Sequence, residues 1–128
     1  MKTILVVDDE HAVVEALRAL LEDEGYAVTT AANGEEALTA IDDGSEADLV
    51  LLDVMMPRLD GRGVLRAIHA HPTRRALPVI MMSAAVDPLP PEELGGAVFL
   101  AKPFEMPRLL RTIERLLRQA PRVADPCE

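Results

Sequence analysis

The sequence predicts a doubly wound α/β domain: a five-stranded parallel sheet in the order 2-1-3-4-5, with helices on both faces. Three observations lead there. Short apolar runs of strand length alternate with helical patterns along the chain, and that alternation builds a parallel sheet with helices packed on it. The run Leu49-Val50-Leu51-Leu52 is apolar throughout, which suits a central strand covered on each side. The connections are short, crossovers between parallel strands are right-handed, and 2-1-3-4-5 is the common doubly wound order for five strands.

The chain has 128 residues, 49% of them hydrophobic. That is one domain's length, with enough apolar material for a core. The formal net charge of −9 argues against direct nucleic-acid binding, which draws its affinity from Lys and Arg neutralising phosphates. It is compatible with a carboxylate cluster that takes a cation. Cys127 is the single cysteine, so no internal disulfide is possible and a reducing, cytoplasmic setting fits. The apolar run near the N-terminus is too short for a signal peptide or a membrane span.

The elements follow in order. Ile4 to Val7 form a short buried strand that ends at Asp8-Asp9-Glu10. His11 to Glu24 is helical, with Val13, Val14, Leu17, Leu20 and Leu21 recurring at threes and fours and Gly25 as the stop. Tyr26 to Ala31 is the second strand, and Asn33-Gly34 signals a turn. Glu35 to Ile41 is the second helix, with Ala37, Leu38 and Ile41 on one side. A polar loop, Asp42 to Glu46, leads to the third strand, which runs into Asp53. Gly63 to His69 is the third helix, closed at His71-Pro72-Thr73 because a residue before proline is driven out of helix. Pro78 to Met82 is strand four, followed by Ser83. Val98 to Ala101 is strand five, followed by Lys102-Pro103. The last helix starts near Pro107, a favoured first-turn position, and runs to about Gln119, its apolar stripe made by Leu109, Leu110, Ile113, Leu116 and Leu117. Residues 1–119 therefore read as the domain, and 120–128, with two prolines, as a flexible tail.

One interval is irregular. Between Ser83 and Lys102 lie three prolines and two glycines, in Asp87-Pro88-Leu89-Pro90-Pro91-Glu92-Glu93-Leu94-Gly95-Gly96. Such a stretch holds at most about one helical turn, so the fourth helix is expected to be short or replaced by a loop.

The chemistry sits where strands end. In an open α/β sheet ligands bind outside the carboxyl ends of the strands, at the switch point between the two halves. The order 2-1-3-4-5 makes strands one and three neighbours there, so Asp8, Asp9 and Asp53 converge. Ser83 and Lys102 end strands four and five and rim the same edge. Two carboxylates ~4 Å apart repel by roughly 4 kcal/mol at an effective dielectric of about 20. A hard divalent cation offsets this, and carboxylates with water suit Mg2+. A carboxylate beside such an ion and an ammonium is equipped to attack phosphorus and become an aspartyl phosphate. Lys102 and the Ser83 hydroxyl are placed to meet the phosphoryl oxygens.

Each residue alone has a plainer reading. Asp8-Asp9-Glu10 would suit any helix N-terminus, Asp53 a loop cap, Ser83 a turn, Lys102 a solvated surface and Phe99 the core. Together they are specific. Val6-Val7-Asp8-Asp9-Glu10, Leu51-Leu52-Asp53-Val54-Met55-Met56-Pro57 with Asp60-Gly61, Met82-Ser83-Ala84 and Phe99-Leu100-Ala101-Lys102-Pro103-Phe104 strongly resemble the receiver domain of bacterial two-component response regulators, over about residues 2 to 119. The resemblance implies a flavodoxin-like fold and a role for each matching position. Asp53 would be the phosphoacceptor, and Asp8 and Asp9 the acidic pair that holds Mg2+, joined by the backbone carbonyl of Met55. Ser83 would move toward the phosphoryl group and Phe99 would change rotamer with it. Lys102 would be the family's lysine, with a cis bond to Pro103.

The partners implied are a histidine kinase or phosphotransfer protein that donates the phosphoryl group, and a downstream protein target. No direct nucleic-acid binding and no membrane insertion are expected. The chain would be a stand-alone switch rather than a turnover enzyme. A metal-dependent phosphatase with an aspartate nucleophile wants a second acid two residues after it, and Met55 stands there. A receiver-like adaptor that binds proteins without phosphorylation is the other alternative, though neither an acid nor the lysine is missing. The family's usual output and pairing face uses the fourth helix, fifth strand and fifth helix, so a short fourth helix puts the usual symmetric dimer in doubt.

Overall fold

In a computed structural model of the chain, residues 1–42, 47–54, 60–71, 74, 76–84 and 91–119 are described, the side chains of Pro91 and Glu93 excepted. Among these described residues ten elements alternate: β1 (Thr3–Val7), α1 (His11–Asp23), β2 (Ala27–Ala31), α2 (Gly34–Asp42), β3 (Leu49–Asp53), α3 (Gly61–Ala70), β4 (Val79–Ser83), α4 (Pro91–Leu94), β5 (Val98–Ala101) and α5 (Met106–Gln119). The five strands form one parallel sheet in the order β2-β1-β3-β4-β5, as the alternation predicts.

Side chains of successive strand residues point to opposite faces, and the two faces have separate cores. Leu5, Val7, Val50, Leu52, Val79 and Met81 pack with Ala37 and Ile41 of α2 and Val64, Leu65 and Ile68 of α3. Ile4, Val6, Leu49, Leu51, Ile80 and Met82 pack with Val14, Leu17 and Leu21 of α1 and Leu109 and Ile113 of α5. Every residue of β3 and β4 is buried. Such unbroken apolar runs are stable only with helices on both sides, and each fully buried Leu, Ile or Val stabilises the fold by roughly 1.5–3 kcal/mol. The edge strand β2 is wetter, with Thr29 and Thr30 exposed.

Local side-chain chemistry moves several element ends. Asn33-Gly34 is a helix start rather than a free turn: the Asn33 Oδ1 accepts from the Glu36 N–H at 2.9 Å, and the Glu36 Oε1 accepts from the Ala32 N–H at 2.9 Å. That reciprocal capping sets α2 off at Gly34. Helix α3 begins at Gly61 rather than Gly63, because the Asp60 Oδ1 accepts from the Gly63 N–H at 3.1 Å and caps it. Strand β4 includes Ser83 and leaves out Pro78, and Tyr26 precedes β2. Helix α4 is the short one expected. It has four residues and ends at Gly95 and Gly96, whose φ angles of 53° and 96° favour glycine. The residue 120–128 tail and most of the polar loop before β3 lie outside the described residues.

Gly61 is where the chain folds back over β3. Its N–H donates to the Val54 carbonyl at 3.0 Å. A Cβ at this position would lie 2.5 Å from the Asp53 carbonyl oxygen and 2.8 Å from the Val54 Cα. Both are backbone atoms of a buried strand end and have little room to yield. Gly61→Ala is expected to destabilise the protein by about 1–3 kcal/mol; a urea melt that leaves the midpoint unchanged would contradict this close approach.

Candidate functional site

The site is built by strand register. β1 and β3 are parallel neighbours with Val7 beside Leu52, so the next step sets Asp8 beside Asp53 at one strand spacing of about 4.8 Å. Both are buried although ionisable, Asp8 at 1% and Asp53 at 6% exposure. Asp9 is exposed at the mouth. A carboxylate oxygen from each of Asp8, Asp9 and Asp53 lies within 4.8 Å of the others.

Lys102 closes the far side. It follows β5, two strands from β3, and its stem crosses the end of β4. Its Nζ lies 3.3 Å from the Asp8 Oδ2, which it hydrogen-bonds, and 3.7 Å from the Asp53 Oδ1. The Lys102 side chain is 23% exposed, which shelters the pairing from water. The Lys102 N–H donates to the Ser83 carbonyl at 2.7 Å, and the Lys102–Pro103 peptide is cis. The second oxygen of Asp8 accepts from the Glu10 N–H at 2.9 Å. Both Asp8 oxygens are therefore directed, one by the start of α1 and one by the ammonium.

Ser83, 1% exposed, ends β4. By strand alternation it faces the same side of the sheet as Val79 and Met81. Phe99 of β5 packs half-buried against that same core and is paired with Met81. The two residues thus share one sheet face at the edge of the molecule. Met55 lies outside the described residues, so its carbonyl stays an expectation. His69 packs its ring against Gly95 and His71 lies 3.5 Å from Asp42; neither enters the acidic site.

Electrostatics define what the arrangement accepts. Among the described residues, three carboxylates face one ammonium, an excess of negative charge within a few ångströms. A hard divalent cation with oxygen ligands matches that balance in charge and in donor type. Sequence patterning had located every one of these side chains. It had not shown that Lys102 pairs with Asp8 as well as Asp53, nor that Gly61 supports the Asp53 backbone. The adjacent Asp60 and Gly61, a cap beside the smallest residue, were the available signal.

The comparisons with known proteins agree with the geometry. A family model described as the response regulator receiver domain matches residues 4–114. The chain belongs to the response regulator receiver family. Similar relatives include the transcriptional regulatory protein CpxR of Escherichia coli, 41% identical over 124 residues, which is 94% of this chain and 51% of CpxR. Another is the probable transcriptional regulator ycf27 of Cyanophora paradoxa, 43% identical over 121 residues, covering 92% of this chain and 49% of that protein. This receiver therefore spans about half the length of the curated relatives it matches. Among solved structures it is similar to the response regulator TrrA of Thermotoga maritima in complex with Mg2+–BeF, with a TM-score of 0.82, 35% identity, and coverage of 91% of this chain and 99% of that one. It is also similar to the chemotaxis protein CheY4 of Vibrio cholerae, with a TM-score of 0.81, 33% identity and coverage of 91% and 98%. Among the receiver's described residues no helix is long and apolar enough to cross a membrane.

Replacing one buried acid should relieve the crowding. Asp53→Asn keeps the shape, removes a charge that faces two others, and leaves Lys102 its contact with Asp8. In metal-free buffer the variant is expected to be more stable by about 1 kcal/mol; a lower urea midpoint than wild type would contradict net repulsion at this site.

Proposed function

We propose that the chain is a phospho-accepting switch of a two-component system, which takes a phosphoryl group onto Asp53 from a histidine kinase or phosphotransfer protein. The observation that supports this most is the buried Asp53 carboxylate with Lys102 Nζ at 3.7 Å and two further acids within reach. Asp8, Asp9 and Asp53, with the Met55 carbonyl expected beside them, would hold Mg2+. The ion, when bound, neutralises the carboxylates and the developing charge on the transferred group.

The chain's own residues do the rest. An Asp53 Oδ attacks the phosphorus, the P–N bond to the donor histidine breaks, and its electron pair returns to the imidazole. The product is a mixed anhydride on Asp53. Lys102, held by Asp8, sits within reach of a phosphoryl oxygen and supplies a compact positive charge. Burial keeps competing water few. The new oxygens offer acceptors to the Ser83 hydroxyl. Movement of Ser83 toward them frees space on the sheet face it shares with Phe99, and an inward turn of Phe99 would reshape the surface around β5. A protein target that favours that shape shifts the same equilibrium.

In this role the chain is not a turnover enzyme: it modifies itself and then signals by binding. It works in the cytoplasm, without direct nucleic-acid contact through this domain.

The test is to incubate the protein with acetyl phosphate and Mg2+ and to locate the added phosphoryl group by mass spectrometry. Modification is expected on Asp53, absent after Asp53→Asn or with EDTA, and strongly slowed by Lys102→Ala. Modification at another residue, or none in the wild type, would refute the assignment.

A further inference from the structure

The end of the sheet opposite the acidic site has a feature that phosphoryl chemistry does not use. A hollow of about 270 Å3 lies where β4 and β5 begin, between the last turns of α3 and α5. Leu77, Val79, Ala97 and Leu116 supply apolar wall, and His69 and Gln119 are its two polar side chains among the described residues.

Glycine makes the space. Gly95 and Gly96 follow α4 with φ angles of 53° and 96°, and a Cβ on Gly95 would lie 2.7 Å from the His69 Cε1 and 2.8 Å from its Nδ1. With no side chain there, the imidazole lies over the turn and lines the hollow. His69 is half-buried, yet among the described residues its ring has no hydrogen bond and no ion pair. His71, two residues on, lies 3.5 Å from the Asp42 carboxylate. Polar groups withdrawn from water are as a rule paired, so His69 keeps bonding capacity that the fold itself does not use.

We propose that this hollow binds a small monocarboxylic acid with a compact apolar body. The body would rest against Leu77, Val79, Ala97 and Leu116, and the carboxylate would accept from His69 and Gln119. Three observations fix that chemistry. The volume falls just below the roughly 300–1,000 Å3 of common small-molecule sites, which suits a compact occupant. Both polar side chains offer N–H donors, one or two from an imidazole and two from an amide, so a purely apolar occupant would leave them unmatched. No Asp or Glu is among the described lining residues, so an anion meets no like charge in the wall. A metal ion is a poor occupant, because His69 is the only strong ligating side chain among those residues. Binding here needs neither Asp53 nor a cation, and so goes beyond the switch reading.

The test uses the full, unphosphorylated chain, 15N-labelled, with phenylacetate as the probe. Titration is expected to move the amide signals of Gly95, Gly96 and Ala97 saturably, with a midpoint at or below about 1 mM. Phenylacetamide, which has the same body without the charge, should bind several-fold more weakly, and acetate should produce no saturable shift. His69→Phe keeps a ring but removes the donor and should weaken phenylacetate about fivefold or more, His69→Gln less. Ala97→Leu fills the hollow and should abolish binding. Circular dichroism checks that each variant is folded, and the two His69 variants decide the matter if Ala97→Leu is not. The proposal is overturned if those amides do not respond, if phenylacetamide binds as tightly, or if His69→Phe leaves the affinity unchanged. It is equally overturned if a peptide of residues 120–128 displaces the probe, or if wild type sediments as a dimer that Ala97→Leu dissociates.

Discussion

The structure turns on a repulsion that folding creates. Asp53 is far along the chain from the adjacent pair Asp8 and Asp9, yet carboxylate oxygens of all three come within 4.8 Å of one another, and Asp8 and Asp53 are almost wholly removed from water. Isolated charges in such a place are costly. Among the described residues one ammonium, from Lys102, meets two of the three acids, so negative charge there exceeds positive. That imbalance is the chemical property of the site: it matches a divalent cation with oxygen ligands in charge and in donor type. A site with balanced charges would have no such appetite.

The rest of the fold holds the acids in this arrangement against their repulsion. Parallel pairing of β1 with β3 fixes Asp8 beside Asp53, and the two helical layers bury β3 completely. The Glu10 N–H fixes one oxygen of Asp8. Gly61 lets the chain return tightly over the Asp53 backbone, where any side chain would collide with it. The Ser83 carbonyl accepts from the Lys102 N–H, so the serine and the lysine are anchored to each other through the backbone before any ligand arrives.

Much of this was legible in the residues because the relevant signals are coarse. The apolar run of β3, the acids at strand ends and the Gly/Pro density before β5 each have one strong physical consequence. Strand order made the convergence of Asp8, Asp9 and Asp53 an inference rather than a guess. What pattern alone missed was local and geometric. Asn33-Gly34 is a turn signal in general, and only the exchange of hydrogen bonds with Glu36 makes it a helix cap. Asp60 moves the start of α3 for the same reason. The Asp48 carboxylate, which accepts from the Thr3 N–H at 2.8 Å at the opposite end of the sheet, depends on a contact between residues distant in sequence and has no periodic signature.

The central claim is that these acids, with Lys102, form a single nest for a divalent cation and a phosphoryl group. A crystal structure of the protein grown with Mg2+ and beryllofluoride tests it most directly. The account predicts one metal ion shared by Asp8, Asp9 and Asp53, the fluoride group joined to an Asp53 oxygen, and Lys102 in contact with a fluorine. Beryllofluoride bound elsewhere, or an acidic cluster that stays empty of metal while Asp53 remains accessible, would contradict it.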